Sequence, residues 1–256
     1  MEIKVLGAHN CESRHTRCTS LLIDDTLALD AGGLTSSLSF KAQLKLKAVL
    51  LTHQHYDHTR DIPFLAMNFF LHGRTINVYA TLPVYEVLSS NLLDGKLYPN
   101  FLETPQPKPT INFIIVEPLQ VSQIAGYGVV PIPANHAVPA IGYQVTAPDG
   151  KRLFYSGDTG PGLSKCWQHI SPQMLFVELT APDKYKNFGR ESGHLTPGLL
   201  KEELVSFRKI KGYLPPVVLV HMNPELEPEI AAEIAPLAQL LNTPITLAHE
   251  GMRIHL

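Results

Sequence analysis

Short apolar runs separated by turn residues open the chain: "EIKVLGA", "TSLLID", "TLALDAG" and "KAVLLTH". Runs of this length, rich in Leu, Ile and Val and bounded by Gly, Asp and Ser, predict a strand-rich first third. From Ile62 to Leu71, and again from Leu82 to Leu93, the apolar positions fall at helical spacing. The stretches "LDGKLYPN" and "ETPQPKP" interrupt that spacing and predict loops. Strand character returns in "INFIIVEPL", "YGVVPIPANH", "AIGYQVTAP" and "KRLFYSGDTG". The last third predicts a strand in "QMLFVELTAP", an amphipathic helix in "TPGLLKEELVSFRKI", a buried strand in "PPVVLVHMNP" and a second helix in "EPEIAAEIAPLAQLL". "TPITLAHEGMRIHL" reads as two short strands around a turn. Strands in two groups, helices among them and no low-complexity linker predict an α+β chain. Residues 1–256 would form one domain of two sheets with outer helices.

Composition narrows the chemistry. A formal charge of −2 over 256 residues supplies no bulk attraction for nucleic acid, so a polyanion would have to be held locally. No apolar run approaches the roughly 18 residues of a membrane helix, and "MEIKVLGAHN" has no leader pattern, so a cytoplasmic protein is expected. The three cysteines, Cys11, Cys18 and Cys166, are too few for a disulfide framework.

The twelve histidines say more. "LTHQHYDHTRDIP" places His53, His55, Asp57 and His58 within six positions, directly after an apolar run. His53 and His55, two apart on extended chain, share a face, while Asp57 and His58 lie where the chain turns. At these residue frequencies the pattern H-x-H-x-D-H arises by chance on the order of once per thousand such chains. Three further candidates stand at strand ends beside turn-forming residues: His136 in "IPANHAVP", Asp158 in "YSGDTG" and His221 in "LVHMNP". If these strand ends meet at one edge, His53, His55 and His136 hold one metal, and Asp57, His58 and His221 hold a second. Asp158 then bridges the two.

These segments resemble the metallo-β-lactamase superfamily along essentially the whole chain. The resemblance implies an αββα four-layer sandwich, two mixed β-sheets flanked by helices, with two divalent ions at one edge. Zinc is the expected metal, with manganese or iron as alternatives. "LALDAGG" matches the family's strand ending in Asp-x-Gly and implies that Asp30 orients a ligand. Lactam-opening branches commonly carry cysteine where Asp158 stands, whereas a carboxylate suits phosphoester chemistry. "FVELT" and "SGHLTP" place Glu178 and His194 as similar residues stand in phosphodiesterase branches. That similarity implies that His194, oriented by Glu178, protonates the leaving oxygen while a hydroxide held between the ions attacks phosphorus. Asp57 joins the catalytic set. His194 could instead cap the helix beside Thr196.

"NLLDGKLYPNF", "SGHLTPGLLKEELVSF" and "VVLVHMNPELEPEI" resemble class II cyclic-nucleotide phosphodiesterases. A 3′,5′-cyclic nucleotide is therefore the expected substrate and a 5′-monophosphate the product. Tyr56 departs from that class, which has leucine there. A ribonuclease Z-like tRNA 3′-endonuclease is the alternative, then a thioester or lactam hydrolase, and last a metal-binding protein without turnover. No glycine-rich basic arm lies between His58 and His136 to hold a tRNA body. Tyr98, beside Pro99, is the candidate base contact, ahead of Phe69 and Phe101, which read as core. His9, Cys11, His15 and Cys18 lack paired metal spacing, although Arg14 or Arg17 of that loop could meet a phosphate. "LLDGKLYPNF" is a candidate homodimer face.

Overall fold

The computed structural model describes residues 1–256. Its strands are β1 Glu2–Gly7, β2 Ser20–Ile23, β3 Leu27–Leu29, β4 Ala48–Leu50, β5 Ile76–Ala80, β6 Ile111–Ile115, β7 Ser122–Ile124, β8 Tyr127–Ala134, β9 Ala140–Thr146, β10 Arg152–Tyr155, β11 Met174–Glu178, β12 Val217–Val220, β13 Ile245–Leu247 and β14 Arg253–His255. Its helices are α1 Leu34–Ser37, α2 Phe40–Gln43, α3 Tyr56–Thr59, α4 Ile62–Leu71, α5 Leu82–Val87, α6 Ser164–Trp167, α7 Lys186–Ser192, α8 Pro197–Lys211 and α9 Glu227–Leu241. A π-helical turn, Leu88–Leu92, extends α5 to almost the length that the apolar spacing predicts.

Two seven-stranded sheets form, ordered β14-β1-β2-β3-β4-β5-β6 and β13-β12-β11-β10-β9-β8-β7. Each runs from an antiparallel half into a parallel half, so both are mixed. Counted from the antiparallel edge, β1 and β8 are second in their sheets, β3 and β10 fourth, and β5 and β12 sixth. This internal correspondence has left no repeat in the sequence. The two closing strands do not form the hairpin suggested by "TPITLAHEGMRIHL". β13 pairs with β12 in one sheet and β14 with β1 in the other, because Ala248–Met252 crosses between sheets.

The apolar runs follow from this layering. In β2, Leu21 and Ile23 face the large core between the sheets, whereas Leu22 faces a smaller core under α4 with Val49 and Phe69. A strand covered on both faces has no polar side to show, so "SLLI" reads as an unbroken run. On the opposite side Leu199, Leu204 and Phe207 of α8, with Ile230, Ile234 and Leu237 of α9, pack into the large core. The layers are helix, sheet, sheet and helix. No helix is long and apolar enough to cross a membrane.

The sheets are fastened to each other at one end. Ile141 N–H donates to the Thr52 carbonyl at 3.1 Å, and the Tyr143 hydroxyl donates to the Leu51 carbonyl at 2.9 Å. Chain ends of β3, β4, β8, β10, β11 and β12 therefore meet at that end.

Candidate metal centre

β4 ends at Leu50, and the chain runs without regular structure through His53 and His55 before entering α3 at Tyr56, which separates His53 and His55 from Asp57 and His58 as the spacing suggested. The seven side chains lie together. His53, His55, His136 and Asp158 bring their ligand atoms within 4.8 Å of one another, as do Asp57, His58, Asp158 and His221. Asp158 belongs to both groups. Its carboxylate stands 3.2 Å from His58 Nε2, 3.3 Å from His221 Nε2 and 3.6 Å from His53 Nε2. His136 Nε2 and His55 Nδ1 point at each other across 3.1 Å, an arrangement of two imidazoles that a shared cation would stabilise.

Buried polar atoms test whether a metal fits. His53 Nε2, His58 Nε2 and Asp158 Oδ1 are buried and have no hydrogen-bond partner. An unpaired buried polar group costs on the order of 1–3 kcal/mol, so three aimed at one small volume indicate a missing partner. Imidazole nitrogens with carboxylate oxygens are the donor set of borderline and hard divalent cations. The clusters fit a divalent metal centre.

The opposite ring nitrogens are anchored. His58 Nδ1 donates to Asp30 at 2.8 Å, and the same carboxylate accepts Thr52 N–H at 2.8 Å and the Tyr155 hydroxyl at 2.6 Å. Asp30 is thus an orienting carboxylate at the centre of a buried network. His136 Nδ1 donates to the Gly193 carbonyl at 2.9 Å. Gly193 has φ 76°, and a Cβ there would lie 2.8 Å from His136 Cα, so only glycine allows this approach. His221 Nδ1 shares the Thr180 hydroxyl at 3.0 Å, and His221 itself has φ 64°, an uncommon conformation outside glycine.

Charges follow from the same contacts. Burial works against the His58 imidazolium, but Asp158 and Asp30 outweigh it and raise its pKa well above 6.5. Burial and the neighbouring His58 depress His53. Burial would raise Asp158, yet His221, His58 and His53 keep it ionised well below the usual range. Asp57 is likewise held down against burial by His221 and His58.

His194 stands on the rim. Its ring is stacked on His221, with centroids 5.4 Å apart, and lies 4.9 Å from His136. Nδ1 donates to Glu178 Oε1 at 2.9 Å, which leaves Nε2 free of the carboxylate. Burial opposes its protonation, but Glu178 raises the pKa to about 9. His194 does not cap α8. Asp183 does so, accepting from Gly198 N–H at 2.8 Å and from the Thr196 hydroxyl at 2.6 Å.

Other expected residues lie elsewhere. The ring of Tyr98 packs on Phe64 at 5.8 Å and Phe101 at 6.1 Å in the smaller core, not on the histidines, and Phe69 and Phe101 are fully buried. His9, Cys11, His15 and Cys18 do not converge. Buried His9 lies between Glu250 at 2.8 Å and Glu227 at 3.2 Å, while Cys11 and His15 are exposed. Sequence reasoning missed Thr180, which contacts Glu178, His194 and His221 at 3.1, 3.2 and 3.0 Å. Its signal was there: Thr180 stands two positions after Glu178, on the same face of an extended chain. Tyr155 and the Gly193 carbonyl left no such signal.

Residues 29–222 match the family model described as the beta-lactamase superfamily domain. Ribonuclease Z of Methanocaldococcus jannaschii is 21% identical over 238 residues, covering 73% of this chain and 72% of that protein. Unliganded yeast PDE1 superposes with a TM-score of 0.84 at 15% identity, over 100% of this chain and 99% of that one. The metallo-beta-lactamase fold protein YhfI from Bacillus subtilis gives 0.78 at 17% identity, over 99% and 98%. With an aspartate-linked pair of histidine clusters at the edge of this sandwich, the chain belongs to the beta-lactamase superfamily and is a metal-dependent hydrolase.

Proposed function

We propose that this protein hydrolyses a phosphodiester bond, with a 3′,5′-cyclic nucleotide as the favoured substrate and a 5′-monophosphate as product. The observation that carries the reading is the convergence of partnerless His53 Nε2, His58 Nε2 and Asp158 Oδ1 beneath a rim histidine already tied to a carboxylate. His53, His55, His136 and Asp158 would hold one divalent ion, and Asp57, His58, His221 and Asp158 the other, zinc being favoured over manganese or iron. When bound, such ions supply Lewis acidity toward phosphoryl oxygens and a nucleophilic water at neutral pH.

The chain's own residues do the rest. Asp30 and the Gly193 carbonyl fix the rings of His58 and His136, so the nitrogens that face the centre need no reorganisation. Glu178 holds the proton on His194 Nδ1 and leaves Nε2 to give a proton to the departing oxygen. Thr180 ties this donor to His221, which keeps the proton source in register with the phosphate.

Segment 81–110, which joins β5 to β6, supports a small substrate. It carries two lysines against three carboxylates, too little positive charge to neutralise the backbone of an RNA body. The second reading, RNA 3′-end cleavage, is favoured by the ribonuclease Z relative. The deciding experiment compares 5′-nucleotide release from cyclic AMP with 3′-trailer removal from a precursor tRNA at equal concentrations of zinc-loaded enzyme. Release from cyclic AMP alone upholds the first reading, and trailer removal alone replaces it with the second.

A further inference from the structure

Exposed apolar rings scattered singly need no explanation, but a row of them starting at a metal centre does. Tyr56 is 64% exposed and stands between His55 and Asp57, one from each cluster. Phe64 is 56% exposed two turns further on. The backbone joining them keeps right-handed helical dihedrals, although α3 and α4 are separate elements and the Asp61 N–H leaves the helical ladder for the Ala31 carbonyl at 3.0 Å. Arg60 has φ −54° and ψ −32°, Asp61 has φ −86° and ψ −7°, and Arg60 N–H donates to the Tyr56 carbonyl at 2.8 Å. Residues four apart lie on one ridge of a helix, so Tyr56, Arg60 and Phe64 follow one another along the solvent side.

The ridge is braced at its middle and at its far end. Arg60 is ion-paired with Glu12 of the loop between β1 and β2. That loop is fixed beside the centre, since Asn10 N–H donates to the carbonyl of Met222, the neighbour of His221, at 3.1 Å. Phe64 is backed by the edge of Tyr98, centroids 5.8 Å apart, and Tyr98 rests on buried Phe101. Phe64, held from behind with its outward side in water, loses little entropy when a flat ligand covers it, and Tyr56 presents its ring beside the centre on the backbone that carries His55 and Asp57.

We propose that Tyr56 and Phe64 form a stacking platform for nucleobases leading away from the metal centre. Tyr56 takes the base of the nucleotide whose phosphate lies at the centre. Phe64, about 12 Å further along at 1.5 Å per residue, takes a following base of a short single strand. This rests on the phosphodiesterase reading and deepens it: the substrates are nucleotides, and the range extends from mononucleotides to short single-stranded oligonucleotides. Tyr98, the contact expected from sequence, serves as the support behind Phe64.

The test is calorimetric titration of zinc-loaded protein with ribose 5-phosphate, AMP and the 5′-phosphorylated dinucleotide pApA, with bound zinc measured for every variant. Wild-type protein should bind AMP about tenfold more tightly than ribose 5-phosphate, and pApA more tightly again. Tyr56→Ala should abolish the first difference, and Tyr56→Phe and Tyr56→Trp should keep it. Phe64→Ala, remote from every ligand, should remove only the second. Equal affinity for AMP and ribose 5-phosphate in the wild type overturns the platform, as does a Tyr56→Ala variant of full zinc content that weakens both ligands alike. Hydrolysis of bis(p-nitrophenyl) phosphate is followed in parallel. A protein that cleaves this diester but gains nothing from a base loses the platform and keeps its proposed activity. One that binds AMP through Tyr56 and cleaves no diester keeps the platform and loses the activity.

Discussion

The two sheets repeat one succession of pairings, yet corresponding chain ends do different work. β3 and β10 hold the same place in their sheets, and a buried aspartate follows each, Asp30 at 0% and Asp158 at 2% exposure. Asp30 receives Thr52, His58 and Tyr155 and is satisfied. Asp158 faces histidines of both clusters and keeps one oxygen without a partner. β1 and β8 are likewise matched, and a histidine lies just beyond each. His9 is clasped by Glu250 and Glu227, whereas His136 donates to Gly193 and turns its other nitrogen to the centre. A strand end supplies only a place. Whether a polar residue there is scaffold or site depends on whether the fold completes its hydrogen bonds.

Breaking the functional aspartate should have the largest effect. Asp158→Ala removes the carboxylate shared by both clusters, so diester turnover should fall by about 10³-fold or more. Zinc should raise the melting temperature of the wild type but not of the variant, because only a ligand bound to the folded state stabilises it. Retention of two metals and full turnover would overthrow the shared role. His194→Ala should leave metal content intact and lower kcat by about 10²–10⁴-fold, the range of a lost general acid. A loss of metal in that variant would instead make His194 part of the centre.

The scaffold partners should show the opposite signature. Asp30→Ala strands the Tyr155 hydroxyl, Thr52 and His58 in the interior, and the unfolding free energy should drop by about 3 kcal/mol in urea titrations. A drop below about 1 kcal/mol would mean that the network reorganises around the gap.

The smallest effect belongs to His9, where breaking the clasp should cost about 1 kcal/mol, or about 2–4 °C in melting temperature. Burial disfavours the imidazolium, but Glu250 and Glu227 raise the pKa of His9. Its contribution is complete below 6.5 and is lost as pH rises through the raised value. Burial would raise Glu250, while His9 and the Arg17 N–H lower it, so its contribution is complete above 4.5 and fades as pH falls. The difference in melting temperature between wild type and His9→Gln should therefore peak near pH 5.5 and shrink by pH 9. A difference that stays flat with pH would show that His9 contributes through packing alone.

Much of this arrangement was legible in advance, for particular reasons. Ile62–Leu71 is the same helix in pattern and structure, because its buried Ile62, Leu65, Ala66 and Phe69 recur at the spacing of helical turns. "THQHYDH" was legible because a metal needs several donors at once, and one short segment supplied four of them. α7 was not, since Lys186–Ser192 buries only Gly189 and leaves no apolar stripe. Nor was the parting of β13 from β14, which depends on which sheet edges stand open once both sheets have formed. The packing of Tyr98 was not legible either, because a tyrosine beside a proline looks the same whether a ligand or Phe64 covers its ring.

Taken alone, the sequence determined what is local in chain distance: the strand and helix periods, the donors crowded between His53 and His58, and the glycines where the backbone must turn. The tertiary structure decided what depends on meeting partners far along the chain. Asp158 and Asp30 both stand near strand ends and glycines, and although the sequence suggested a bridging role for one and an orienting role for the other, only the folded sheets put histidines of both clusters around the first and a closed hydrogen-bond network around the second. Burial is the physical reason, because a polar atom acquires its role from the few neighbours left to it once water is excluded.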